Sequence, residues 1–229
     1  MHQRKGKIIL IYFLLLIIVG SVNNIYLNDF KFDKIKNINI SGLKEINNQI
    51  LKQEIISLNL ENIFLLKENE IRSLIEKNTL IENYKIFKKY PSTLNIKVKE
   101  TDFLAKINKS GKMYLIGSNG KLSKIDFSDE SLPFIFGKPE ISEFLKFKKI
   151  IDASEIQYNE IKSLYFFQSK RWDIVLKNNT LIKLSRNFTK EALNNALLFL
   201  NNNQFKDIKA IDARIKNQII INEWKFRIW

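Results

Sequence analysis

The run Ile8 to Val19, IILIYFLLLIIV, limits what this chain can become more than any other stretch. Nothing polar punctuates its twelve residues, which argues against a buried core helix. At 1.5 Å per residue, twelve helical residues reach only about 18 Å, against a hydrocarbon core of roughly 30 Å. Continuing through Gly20-Ser21-Val22-Asn23-Asn24-Ile25-Tyr26-Leu27 gives residues 8–27, about a bilayer's thickness. Ser21 and the two asparagines then fall near the outer interface, where Tyr26 suits an aromatic position. We read 8–27 as a retained transmembrane anchor, with Ile8, Leu14 and Val19 inside the bilayer. The competing reading is a cleaved signal peptide, but Gly20-Ser21-Val22 is a poor A-x-A-like site.

Charge orients the anchor. Arg4, Lys5, Lys7 and the amino terminus crowd the short side, so residues 1–7 read as a cytoplasmic tail and the body as lying outside the cytoplasm. On the far side the first charge is Asp29. Lys31, Lys34 and Lys36 reduce the asymmetry.

The remainder, from about residue 30, is long enough for one large or two small domains. A net charge of +14 raises nucleic acid or anionic membrane as partners. The lysines are scattered and often alternate with Ile or Leu, so they read mainly as solvated surface. Cysteine is absent, which removes disulfides, thiolate nucleophiles and Cys metal sites, and fits an extracytoplasmic body that needs no staples. The only histidine is His2, on the wrong side of the anchor. Ser-His, Cys-His and His-metal chemistry are thereby excluded. Asp129-Glu130 reads as a solvated loop pair, not an acid/base site, and no phosphate-cradling glycine loop occurs. No catalytic residue, metal site or cofactor is expected.

Beyond the anchor, Ile35 to Gly42 alternates apolar and polar residues and stops at glycine, a half-buried strand. Asn47 or Asn48 can cap a helix carrying Leu51, Ile55 and Leu58 at i, i+4, i+7. A second helix, about Glu68 to Asn78, places Ile71, Leu74 and Ile75 on one face, with Glu68 and Glu70 at its positive end. Two strands follow, Tyr84 to Tyr90 and Leu94 to Glu100, turned by Pro91-Ser92-Thr93.

Further on, Ser118-Asn119-Gly120 turns the chain between apolar runs. A helix is expected near Glu140 to Ile151 and a strand from Ile161 to Phe167. Lys177-Asn178-Asn179 makes a hairpin of Trp172–Leu176 and Thr180–Leu184, with Trp172 as its core anchor. Thr189 caps a helix with Leu193, Ala196, Leu197 and Leu200 on one face. The end of the body, about Ala210 to Asn222, reads as the last strand. Trp224 and Trp229 lie beyond it, open to three readings: capping the sheet edge, touching the membrane or binding a partner.

The strand-helix-helix-strand-strand order, Ile40-Ser41-Gly42-Leu43, and the hairpin Lys89-Tyr90-Pro91-Ser92-Thr93-Leu94-Asn95-Ile96-Lys97-Val98-Lys99-Glu100 resemble a POTRA domain. Over nearly its full length the chain resembles the FtsQ/DivIB family of bacterial cell-division proteins. The residues that carry this are the basic start and anchor, the POTRA-like block, Tyr114-Leu115-Ile116 with Gly120, Leu132-Pro133 with Gly137, Trp172 to Leu176, Leu184-Ser185-Arg186 and Ile211-Asp212-Ala213-Arg214. Departures exist: Thr79-Leu80 stands where a Pro-Trp pair is common, and Ser185 where the family has glycine.

The resemblance implies an α+β protein. An N-terminal transmembrane helix leads to a POTRA domain (βααββ, 33–101), then a mixed β-sheet domain with flanking helices (102–222) and a tail (223–229). It implies a single-pass inner-membrane protein at the division septum, body periplasmic, with no catalysis of its own. The implied role is a scaffold linking early and late division proteins, with FtsB-like and FtsL-like membrane partners bound by strand addition at the last strand. Arg186 and Arg214 then face acidic partner groups, and Ile215, Lys216, Gln218 and Ile220 lie on the paired edge. An internal ion pair between Arg214 and Asp212 competes with that role, as core packing does for the isoleucines. Two alternatives are a POTRA module serving outer-membrane assembly or secretion, and a tethered binder of anionic polymer or lipid.

Overall fold

The structure is a computed structural model that describes residues 2–22, 34–124, 131–200 and 208–222. Asn23 to Leu27 of the expected anchor, the Asp129-Glu130 pair, Trp224 and Trp229 lie outside the described residues.

The apolar run forms part of helix α1 (His2–Val22). The helix begins before that run, so Arg4, Lys5 and Lys7 lie on its first turns. The side chains of Ile8, Leu14 and Val19 are all exposed. Among the described residues no helix is long and apolar enough to cross a membrane. The described side chains run from Gly6 to Ser21, which is about 24 Å of helix.

A three-stranded sheet follows. Its elements are β1 (Asn37–Ser41), α2 (Glu45–Ser57), α3 (Glu68–Lys77), β2 (Ile81–Lys89) and β3 (Thr93–Glu100). The strand order is β1-β3-β2, with β1 parallel and β2 antiparallel to β3. Leu94, Ile96 and Val98 of β3 point inward with a period of two, onto Leu51 and Ile55 of α2 and Ile71 and Ile75 of α3. Gly42 closes β1 at φ 113°, and a Cβ there would stand 1.8 Å from the Val98 carbonyl oxygen, so only glycine fits.

Neither Asn47 nor Asn48 caps α2, which starts earlier, with Lys44 at the cap and no side-chain cap bond. Asn48 instead ties the first turn to Leu43: its amide donates to the Leu43 carbonyl at 2.8 Å and its oxygen accepts from the Leu43 amide at 3.3 Å. Burial of Leu43 pins the chain just before the helix.

The rest builds a second, nine-stranded sheet. Its elements are β4 (Phe103–Lys109), β5 (Lys112–Gly117), β6 (Leu122–Lys124), β7 (Phe134–Phe136), α4 (Ile141–Asp152), a 3-10 turn (Tyr158–Glu160), β8 (Ile161–Phe166), β9 (Trp172–Leu176), β10 (Leu181–Leu184), α5 (Thr189–Leu200), β11 (Ala210–Ala213) and β12 (Ile220–Asn222). The order is β12-β11-β10-β9-β8-β7-β4-β5-β6, so among the described residues β12 and β6 are its edges.

Helices α4 and α5 supply Phe144, Phe147, Ile151, Leu193 and Ala196 to the core of this sheet. Trp172 is its anchor, stacked on Phe147 at 4.6 Å and 7° and flanked by Phe144 and Phe166. Gly137, at φ 97°, lets the chain pass within 2.2 Å of the Phe166 carbonyl oxygen, measured from the Cβ any other residue would add. Thr189 does not cap α5 by accepting an amide. It is the first helical residue, and its hydroxyl donates back to the Ser185 carbonyl at 2.7 Å.

Candidate partner-binding edge

Residues 210–222 do not form one strand. β11 pairs in parallel with β10, Ala210 to Ala213 opposite Leu181 to Leu184. β12 then folds back antiparallel, with Asp212 opposite Ile220 and Ala210 opposite Asn222. The turn between them holds Arg214, Ile215, Lys216 and Gln218, so of the expected edge residues only Ile220 lies in a strand.

Two local features make the reversal. Asn217 takes the left-handed conformation, φ 59°, which asparagine tolerates better than most residues. The Gln218 amide donates to the Ile215 carbonyl at 3.2 Å, closing the turn. Ile215 and the run Ile219 to Ile221 suit a strand, and the three polar residues between them, Lys216-Asn217-Gln218, are where the chain turns.

Arg214 is engaged internally. Its Nε donates to Asp212 Oδ1 at 2.7 Å and Oδ2 at 3.0 Å, its Nη2 to Oδ2, and its backbone amide to Oδ1 at 3.2 Å. The hydrogen bond from the guanidinium, only partly offset by burial, holds the Asp212 carboxyl below the usual carboxylate range. The Arg214 side chain is still 44% exposed. Arg186 is also exposed, in the loop between β10 and α5. Because β10 and β11 run parallel with Leu184 opposite Ala213, Arg186 and Arg214 emerge at the same end of the sheet, beside the start of β12.

The isoleucines divide by face. Ile219 and Ile221 pack against the core, while Ile215 and Ile220 are 54% and 47% exposed. Ile220 ends a row of register partners that crosses six strands: Phe136, Tyr165, Asp173, Lys183, Asp212 and Ile220. The row lies on the face opposite the helices.

Asp173 is the member that sequence reasoning missed. It is buried, and accepts Arg171 Nε at 3.1 Å and the Leu184 amide at 3.3 Å. Burial pushes its carboxyl above the usual carboxylate range, and Arg171 opposes the shift. No local pattern marks it, because its burial comes from neighbouring strands. Among the described residues no group of three or more His, Cys, Asp or Glu side chains is placed to hold a metal ion.

The sequence of both sheets has counterparts in known proteins. A family model described as "POTRA domain, FtsQ-type" matches residues 33–101. A second, "Cell division protein FtsQ/DivIB, C-terminal", matches residues 105–214. "Cell division protein FtsQ" of Rickettsia felis is 27% identical over 207 residues, 88% of this chain and 77% of that one. The protein of the same name from Bradyrhizobium diazoefficiens is 24% identical, over 89% of this chain and 60% of its own length. "Cell division protein DivIB" of Staphylococcus aureus is 28% identical over 91 residues, 40% of this chain and 21% of its own.

Proposed function

The chain belongs to the FtsQ/DivIB family of cell-division proteins, and from that premise we propose that it is a non-catalytic scaffold of the division machinery at the septum. Residues 8–27 are its transmembrane anchor, with the N-terminus in the cytoplasm and both sheets in the periplasm. It links early and late division proteins and binds small FtsB-like and FtsL-like membrane proteins.

One observation supports this reading: among the described residues β12 is an edge strand of the nine-stranded sheet. A strand edge presents a row of unpaired amides and carbonyls, a template for a partner strand. Ile220 offers an apolar contact on the outer face. Arg186 and Arg214 at the same corner suit an acidic partner segment. Arg214 contributes the exposed part of a guanidinium already oriented by Asp212.

The reading excludes turnover. Co-purification of the membrane-extracted full chain should recover two short single-pass coiled-coil proteins. Recovery of neither, or hydrolysis of peptidoglycan by the purified body, overturns it. A single POTRA-like block followed by a mixed sheet disfavours a role in outer-membrane assembly.

A further inference from the structure

The end of the first sheet where the chain arrives from α1 carries an apolar tip that plays no part in the β12 edge. Between α2 and α3, Ile63 and Leu66 are buried and pin the loop. Asn62 Oδ1 accepts the amides of Phe64 at 3.1 Å and Leu65 at 2.9 Å, a turn that sends these two side chains outward. Leu65 is 65% exposed, and Tyr90, in the turn between β2 and β3, is 58% exposed. The Phe64 and Tyr90 rings meet at 4.9 Å, so the loop and the turn form one surface. Lys34 bridges to Asn62, and the Ile35 amide donates to the Glu61 carbonyl at 3.2 Å. The chain therefore joins the folded body at this tip. Lys34, Lys36, Lys67 and Lys89 are exposed around it, against the exposed acids Glu61 and Glu70.

We infer that this tip docks on an anionic bilayer surface, the one that holds α1. Phe64, Leu65 and Tyr90 enter the headgroup layer, and the surrounding lysines meet anionic headgroups. Aromatic and leucine side chains ringed by lysine have the chemistry of interfacial binding. Reach supports the same occupant. Lys34 follows the end of α1 at Val22 by twelve residues, which span at most about 43 Å. A tether that short raises the effective concentration of the surface, so a small patch suffices. The net charge of +14 adds long-range attraction. This inference rests on the reading of α1 as the membrane anchor.

The absence of cysteine makes the test direct. Leu14→Cys, Leu65→Cys and Ile46→Cys, each carrying an environment-sensitive fluorophore, are reconstituted as full chains in phosphatidylethanolamine/phosphatidylglycerol vesicles. Ile46 is 72% exposed, on the first turn of α2 at the opposite end of β1. Labels at 14 and 65 should shift to the blue and be quenched by doxyl lipids; the label at 46 should do neither. The signal at 65 should shrink in phosphatidylcholine vesicles and at high salt. A quenched label at 14 with a water-exposed label at 65 overturns the tip and leaves the anchor standing. A water-exposed label at 14 overturns the anchor, and the tip with it. Equal quenching at 65 and 46, or a signal at 65 indifferent to lipid charge, overturns the assignment to anionic headgroups.

Discussion

Lys121 Nζ donates to the carbonyl oxygen of Glu76 at 2.6 Å, so a turn of the nine-stranded sheet closes the C-terminal end of a helix on the other sheet. The same ammonium reaches the Asn78 carbonyl at 3.0 Å. A cation is favourable there because the last carbonyls of a helix lack intrahelical partners and carry its negative pole. Beside it, the Asn119 amide donates to the carbonyls of Thr79 and Ile81, both at 2.9 Å. The Ser118 amide donates to Asp102 at 2.7 Å. The two sheets are thus joined by a polar junction.

Asn119→Ala should therefore cost about 1–3 kcal/mol, the price of leaving two part-buried carbonyls without donors. Lys121→Ala should cost less, about 0.3–1 kcal/mol. Hydrogen exchange checks the mechanism: protection should fall at residues 79–81 and 117–121 in the Asn119 variant before it falls in either core. Unchanged exchange there would mean the junction does not couple the sheets.

Val98 is buried and its neighbour Lys97 is exposed, opposite Lys85 across the β2–β3 ladder. Val98→Asp should destabilise the first sheet by about 3 kcal/mol or more, by burying an unpaired charge. Lys97→Asp removes a like-charge pair and should change stability by about 0.5 kcal/mol or less. Urea midpoints of the two variants decide it, and equal losses would contradict this register.

Trp172→Ala should cost about 3–5 kcal/mol, because the stack on Phe147 and the contacts with Phe144 and Phe166 leave a cavity the core cannot close. The loss should appear in unfolding of the nine-stranded sheet, followed by near-UV circular dichroism.

The Asp212–Arg214 pair gives a pH signature. Asp212 titrates below its unfolded value, so its contribution to stability is complete above the usual carboxylate pKa, about 3.9. That contribution is lost as pH falls through the lowered, folded value. Because nearly half of the Arg214 side chain meets solvent, the effect should stay below about 1 kcal/mol. Urea denaturation between neutral and strongly acid pH should show Arg214→Gln losing this acid-side dependence while keeping the fold.

The edge itself is tested by proline, which removes an amide donor. Within β12, Ile220 and Asn222 share one parity and Ile221 has the other. Proline at one parity should abolish partner co-purification with the sheet intact. At the other it should break the pairing with β11. Arg214→Glu should weaken capture of an acidic partner without unfolding the body. Full partner recovery in all folded variants would exclude strand addition.

Much of this was legible in the chain. The inward set Leu94, Ile96 and Val98 follows from a period of two, and the α3 face from a period near 3.6, because both repeats are written into residues a few positions apart. Glycine at 42 and at 137, the turn at Asn119-Gly120 and the absence of thiol and imidazole chemistry are local facts of the same kind. Tertiary structure alone decided the rest. Parallel pairing of β10 with β11 brought Arg186 and Arg214 to one corner, across a separation in sequence that no periodicity encodes. The left-handed Asn217 and the commitment of Arg214 to Asp212 split an apparently continuous strand into β11 and an edge. Asn119, legible only as a turn residue, found its partners 40 and 38 residues away. Local alternation fixes which face of a strand is buried. Which strand lies beside which, and where an edge remains open, depends on packing and hydrogen bonding summed over the whole sheet.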